Sequence, residues 1–261
     1  MDKEYIKRLA EDPRFIPGVY NYCDRWCERC PLTSRCMNFA LSEEQFDDPQ
    51  SRDINNEAFW QKLSEMFQVT LEMVKETAKE QGIDLDSLDL QQAAQEHEEI
   101  RNAAKNHECC QAAKAYRKMV KNWFDSSKDL FDEKSDELGL QARLELPNSD
   151  PAKEASGLKD AVDIIRWYRH FIYVKLLRAV RGSMEEASPS LDEFPKDSDG
   201  SAKIALIAMD RSIAAWGQMS THFPQRKDNI LDILVHLDRL RRKTESLFPD
   251  AREFIRPGFD D

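Results

Sequence analysis

The sequence predicts an all-α protein, a helical bundle of about five to six helices preceded by a cysteine-rich loop. Three observations predict this class. The 261 residues include only eight glycines, long segments repeat apolar residues at spacings of three and four, and no segment alternates apolar and polar residues as a strand does. We therefore expect an N-terminal segment with the cysteines, residues 1–50, and one helical bundle domain, residues 51–261.

The first long amphipathic segment covers residues 56–81, where Asn55 or Asn56 can cap the helix. The next segment, Ser87 to Leu138, has neither glycine nor proline and keeps a helical period. Because it is longer than an ordinary uncapped helix, it predicts two helices or one bent helix, broken around His107.

Three further helices are predicted over residues 154–181, 201–222 and 227–247. Three glycines follow periodic segments and are expected to end helices, because a residue without a side chain readily adopts the left-handed conformation of a helix cap: Gly82, Gly139 and Gly182.

The stretches between these segments contain prolines and small polar residues. Glu145 to Lys153 and Met184 to Gly200 are therefore predicted to be connecting loops. The chain after Pro249 includes Phe254, Ile255 and Phe259. We expect this apolar tail to dock on the bundle.

Charge and hydropathy limit the partners and the compartment. Lys and Arg total 38 against 49 Asp and Glu, a net charge of -11, so a nucleic-acid partner is disfavoured. No apolar run is free enough of charge to span a membrane. The N-terminus lacks the apolar stretch of a secretory signal, which predicts a cytoplasmic protein with reduced cysteines. The sequence identifies no protein partner.

Four of the six cysteines lie within fourteen residues: Cys23, Cys27, Cys30 and Cys36. Such a concentration of thiols in a reducing compartment favours ligation of one metal centre over disulfides. The fold class therefore includes an N-terminal cysteine-rich metal-binding loop. The alternative is a set of unligated thiols packed among aromatic residues, but the charged residues between the cysteines argue against it.

The cofactor is expected to be one zinc ion or one iron-sulfur cluster. The two-residue spacing between Cys27 and Cys30 occurs in both kinds of site. Many structural zinc sites take two ligand pairs from separate parts of a chain, whereas ferredoxin clusters use one compact run, and the step from Cys30 to Pro31 also occurs in such runs. Both alternatives stay open on spacing alone.

The first three cysteines have the C-x3-C-x2-C spacing, which resembles the cluster loop of the radical S-adenosylmethionine family. That family also needs alternating strands and helices, which this chain lacks. A fourth cysteine, Cys36, would close the iron site that the family's chemistry uses. The resemblance is therefore limited to three cysteines.

A candidate interior polar site comes from two very apolar helical segments. The residues concerned are Asp163, Arg166, His170, Tyr173, Lys203, Asp210 and Arg211. Because buried charges require partners, they predict either an ion-pair network between helices or a pocket for an anionic ligand with His170 as acid or base.

A smaller candidate metal site consists of His107 and Cys110, which lie three residues apart on one helical face. Two ligands are too few for a closed metal site, so ordinary packing is the alternative.

These observations support three hypotheses about function. The first is a non-catalytic binding or regulatory protein whose cysteine site is a structural staple. The second is an iron-sulfur redox or sensor protein. The third is an enzyme or anionic-ligand binder with its site around His170. Sequence alone does not establish whether the protein is an enzyme.

Overall fold

The computed structural model describes residues 3–85, 89–144, 149–185 and 196–260, and all regular structure in these ranges is helical. The predicted all-α class is confirmed. Ten α-helices lie in these ranges: α1 Lys3–Glu11, α2 Met37–Gln45, α3 Pro49–Arg52, α4 Glu57–Glu80, α5 Leu90–Asn106, α6 Glu108–Asp125, α7 Lys128–Leu144, α8 Pro151–Glu185, α9 Asp197–His222 and α10 Lys227–Leu247.

The predicted number of five to six helices is wrong for two local reasons. The chain before residue 53 forms three short helices, α1 to α3, which are too short to show a clear period. The segment predicted as two helices or one bent helix contains α5, α6 and most of α7. Its predicted break at His107 is confirmed, because His107 is extended and its Nδ1 accepts a hydrogen bond of 3.2 Å from the Cys109 N–H.

The chain forms two compact units. Unit 1 comprises Met1–Glu96 and Ile255–Asp261, and unit 2 comprises His97–Phe254. The predicted boundary at residue 50 stays a prediction. In the described part of unit 1, only two hydrophobic residues are buried, Val19 and Ala78.

Unit 2 contains a four-helix bundle. Helices α6, α8, α9 and α10 contact one another in a closed ring, and α7 packs on α8. The prediction that the apolar α8 is central agrees with its inward face, which is fully buried: Ile165, Tyr168, Ile172 and Leu176.

One end of this bundle is an aromatic cluster. The ring of Trp123 meets that of Trp216 edge-on, with centroids 5.1 Å apart, and Phe131 lies 4.9 Å from Phe223. The indole N–H of Trp216 donates to the hydroxyl of Tyr116 at 3.2 Å. Burial raises the pKa of Tyr116 to about 12, so this hydroxyl stays neutral.

Helices α8 and α9 extend beyond their predicted ends. Pro151 begins α8, where its missing N–H costs nothing, and Asp150 caps this end by accepting from the Lys153 N–H at 3.0 Å. The helices therefore occupy parts of both predicted loops. Residues 145–148 and 186–195 of these loops lie outside the described residues. None of the helices in the described ranges has the length and apolar character needed to cross a membrane.

Of the three glycines predicted to end helices, only Gly82 has the backbone conformation of a helix cap. Gly82 follows α4 with φ +70°, the Gly82 N–H donates to Lys79 O at 3.2 Å, and the Ile83 N–H donates to Ala78 O at 2.8 Å. This pair of hydrogen bonds is a Schellman cap, as predicted. Gly139 and Gly182 lie inside α7 and α8, so the prediction that they end helices is wrong.

Substituting alanine at Gly82 and at Gly139 should change stability in opposite directions. A side chain at Gly82 meets no atom within 4 Å, but its left-handed backbone costs an L-residue about 1 kcal/mol. Gly139 also has open space and lies in a helix, so Gly139→Ala should stabilise the protein by about 0.5–1 kcal/mol. Urea unfolding of both variants measures the two signs, and equal signs would contradict this account.

Candidate metal centre

The cysteine loop, residues 23–36, is built from two short 3₁₀ turns, Cys27–Arg29 and Thr33–Arg35. In the first turn the Cys30 N–H donates to Cys27 O at 3.2 Å, and in the second the Cys36 N–H donates to Thr33 O at the same distance. Side chains three residues apart in a 3₁₀ turn lie on the same side. The first turn therefore brings Cys27 and Cys30 together.

All four cysteines line one small cavity. Its volume is about 20 Å³, and the cysteines share its wall with mostly apolar residues: Val19, Tyr20, Trp26, Leu32, Phe39 and Phe259. We call this space the cysteine cavity. A small space bounded by four thiols is the arrangement that a metal centre with cysteine ligands requires.

Two of the loop thiols, Cys27 and Cys30, have a pKa above the ordinary value of a thiol. Burial raises the pKa of Cys27, and charge repulsion from the other three loop cysteines raises it further. Burial also raises the pKa of Cys30, although the Leu32 N–H, which donates to its Sγ at 3.4 Å, acts in the opposite direction. Metal binding at these thiols would therefore release protons.

The four sulfurs share a cavity, but they do not have the arrangement of a single-ion site. Within the described ranges, no group of three or more His, Cys, Asp or Glu side chains could hold one metal ion as placed. All six cysteines of the chain are free thiols.

Basic residues lie within the loop. Arg25 lines the cysteine cavity and has φ 59°, a left-handed conformation rare for a residue with a side chain. The guanidinium carbon of Arg29 lies 3.9 Å from the centre of the Trp26 ring. These cations would offset the negative charge of four thiolates.

The C-terminal segment, Ile255–Asp260, contributes to the site although the sequence did not indicate it. The apolar tail was expected to dock on the bundle, but this part belongs to unit 1, where Phe259 lines the cysteine cavity. The aromatic tail was visible in the sequence. No local pattern linked it to cysteines at the other end of the chain.

The predicted interior polar site on α8 is not interior. Arg166 and His170 are exposed, and Asp163 and Tyr173 are half-buried. An Nη1 of Arg117 lies 3.4 Å from Nδ1 of His170. Partial desolvation and the charges of Arg117 and Arg169 lower the pKa of His170. The polar residues of α8 thus lie on its outer stripe, because its apolar residues already fill the bundle.

The α9 members of that predicted site lie apart from His170 and have structural partners. Asp210 accepts from Arg252 Nη1 at 2.7 Å and from Arg241 Nη1 at 3.3 Å, which is an ion-pair network. Lys203 donates to the carbonyl oxygen of Phe254, and Arg211 donates to the Tyr168 hydroxyl at 2.5 Å. The structure does not bring the seven predicted residues together in one pocket.

The candidate metal pair His107 and Cys110 has other roles. His107 uses Nδ1 to cap α6. Cys110 is fully buried, and burial raises its pKa to about 12. A thiol in this setting remains protonated and behaves as a small core residue.

Comparison with protein-family models, curated proteins and solved structures gives no match.

Proposed function

We propose that the protein binds an iron-sulfur cluster through Cys23, Cys27, Cys30 and Cys36. The observation that carries this proposal is that all four side chains line one cavity of about 20 Å³. Four thiolates from one compact run are a ligand set used by such clusters. The six free thiols also fit a reducing compartment, and we propose a cytoplasmic location.

The compactness of the cysteine run favours a cluster over a single zinc ion. Many structural zinc sites take their two ligand pairs from separate parts of a chain, whereas these four cysteines lie within fourteen residues. Ferredoxin clusters are held by one compact run, and the step from Cys30 to Pro31 also occurs in such runs. Four thiolates around one zinc lie about 3.8 Å apart. A cluster has several metal atoms, so its thiolates stand farther apart.

We propose that the cluster serves mainly as a structural staple for unit 1. Only Val19 and Ala78 are buried hydrophobic residues in the described part of this unit. A compact unit with so small an apolar core needs another source of stability, and a metal centre is one such source. The left-handed backbone at Arg25 costs about 1–2 kcal/mol, which ligation of its neighbours would offset.

Protein purified without air tests the proposal. We expect a brown solution with broad absorption at about 400 nm, together with iron and acid-labile sulfide in the protein. Colourless protein with one zinc per chain would show that the centre is a structural zinc and not a cluster. Protein without any metal, folded and with all loop thiols open to alkylation, would overturn both assignments.

A further inference from the structure

The C-terminal segment forms one ordered turn next to the cysteine cavity. Arg256 donates to the Asp260 carboxylate from its backbone N–H at 3.1 Å, from Nε at 2.9 Å and from Nη2 at 2.6 Å. The Arg256 guanidinium also lies 4.9 Å from the centre of the Phe259 ring. The hydrogen bonds between Arg256 and Asp260 close the turn, and the guanidinium contact fixes one face of the Phe259 ring within it.

Gly258 places this turn tightly against the N-terminal part of unit 1. It has φ +73°, and a Cβ atom there would lie 2.6 Å from Ile16 Cδ1 and 3.3 Å from Leu32 Cδ1. Ile16 is itself tied to the cysteine loop, because its N–H donates to Arg35 O at 3.0 Å. Only glycine fits this close approach without a shift of its neighbours.

We propose that Phe259 covers the metal site. Its ring closes the cysteine cavity and limits access of solvent and chelators to the bound centre. This inference rests on the proposed cluster. An apolar wall around a metal centre controls solvent access and the local dielectric. Phe259 supplies no ligand atom, so its effect is on the rate of metal loss and not on the number of metal atoms bound.

The test compares full-length wild-type protein with Phe259→Ala, both purified without air. EDTA is added, and iron loss is followed by the absorption at about 400 nm. We expect Phe259→Ala to bind as much iron as wild type and to lose it about tenfold faster or more. Phe259→Leu, which keeps an apolar wall, should restore most of the protection.

Ile255→Ala is the matched control. Ile255 belongs to the same segment but is 61% exposed and does not line the cavity, so this variant should lose iron at the wild-type rate. If Phe259→Ala fails to fold, the rate of iron loss from Gly258→Ala provides a second test, because this variant keeps the phenyl ring of Phe259 but displaces the turn. That variant should also speed the loss of iron.

The outcomes separate this inference from the proposed cluster. Wild-type protein without iron would overturn the cluster itself. In a second outcome, wild-type protein contains iron while Phe259→Ala or Gly258→Ala, equally loaded, releases it at the wild-type rate. That result would overturn only the role of Phe259. Equal acceleration by Ile255→Ala would also overturn it, since the effect would then come from any change in the segment.

Discussion

Cys30→Ala protein is expected to lose its absorption at about 400 nm and most of its bound iron. Cys30 lines the cysteine cavity beside Cys27, held there by the first 3₁₀ turn. Removing one of four thiolates leaves an iron atom without its protein ligand, and alanine has no atom that can replace it. Iron and acid-labile sulfide analysis of protein purified without air measures the loss.

Cys109→Ala is the matched control in the same chain. Cys109 is a buried thiol on α6 in unit 2, whereas Cys30 is half-buried in unit 1, so the Cys109→Ala variant should keep the iron and the absorption of wild type. Wild-type iron content in Cys30→Ala would contradict a four-cysteine site. Equal loss in both variants would indicate a general effect of thiol removal.

The same substitution should expose the cysteine loop to protease. The described part of unit 1 has few buried hydrophobic residues, so we expect the loop to depend on the proposed metal centre. Trypsin cleaves after arginine, and Arg25, Arg29 and Arg35 lie within the loop. Cleavage at these positions should therefore be faster in Cys30→Ala than in Cys109→Ala, as mass spectrometry of the fragments would show.

The largest loss of stability is expected for Trp216→Ala. Trp216 is fully buried in unit 2, packs edge-on against Trp123 and donates to the Tyr116 hydroxyl. Removing the indole leaves a cavity and takes away a hydrogen-bond donor of a buried hydroxyl. The free energy of unfolding should fall by about 3–5 kcal/mol, measured by denaturant unfolding and far-ultraviolet circular dichroism.

Trp60→Ala is the control for Trp216→Ala, because it makes the same substitution at an exposed tryptophan. Trp60 is 53% exposed on α4 and donates to Ile54 O at 2.8 Å, so its loss should cost about 1 kcal/mol or less. Trp216→Phe should fall between the two, because it keeps part of the ring packing. If Trp60→Ala and Trp216→Ala destabilised the protein equally, the assignment of the core would be wrong.

Helices with strong local signals were predictable from the sequence. Asn56 caps α4, as one of the two predicted asparagines, and its side chain accepts from the Ala58 N–H. Helix α10 begins and ends where its apolar stripe predicted. Gly139 and Gly182 misled the prediction because a helix interior tolerates glycine at a cost of only about 1 kcal/mol, so glycine alone does not end a helix.

The cysteine site was predictable only in part. The spacing of the four cysteines is a local pattern, and their shared cavity agrees with it. Phe259 and Gly258 could not be predicted, because their proximity to the loop depends on tertiary packing. The polar stripe on α8 was expected inside the bundle because the helix is apolar nearly all round. Its period alone does not show which narrow strip remains at the surface.

The two-part composition of unit 1 has a consequence for biosynthesis. During translation the cysteines leave the ribosome before any of unit 2, whereas Phe259 emerges after all of it, because Ile255–Asp261 follows His97–Phe254 in the chain. The nascent loop therefore lacks Phe259, one of the residues that line the cysteine cavity, throughout synthesis of the bundle. If the loop binds the proposed cluster, this interval would give a cellular iron donor access to the thiols before Phe259 is in place.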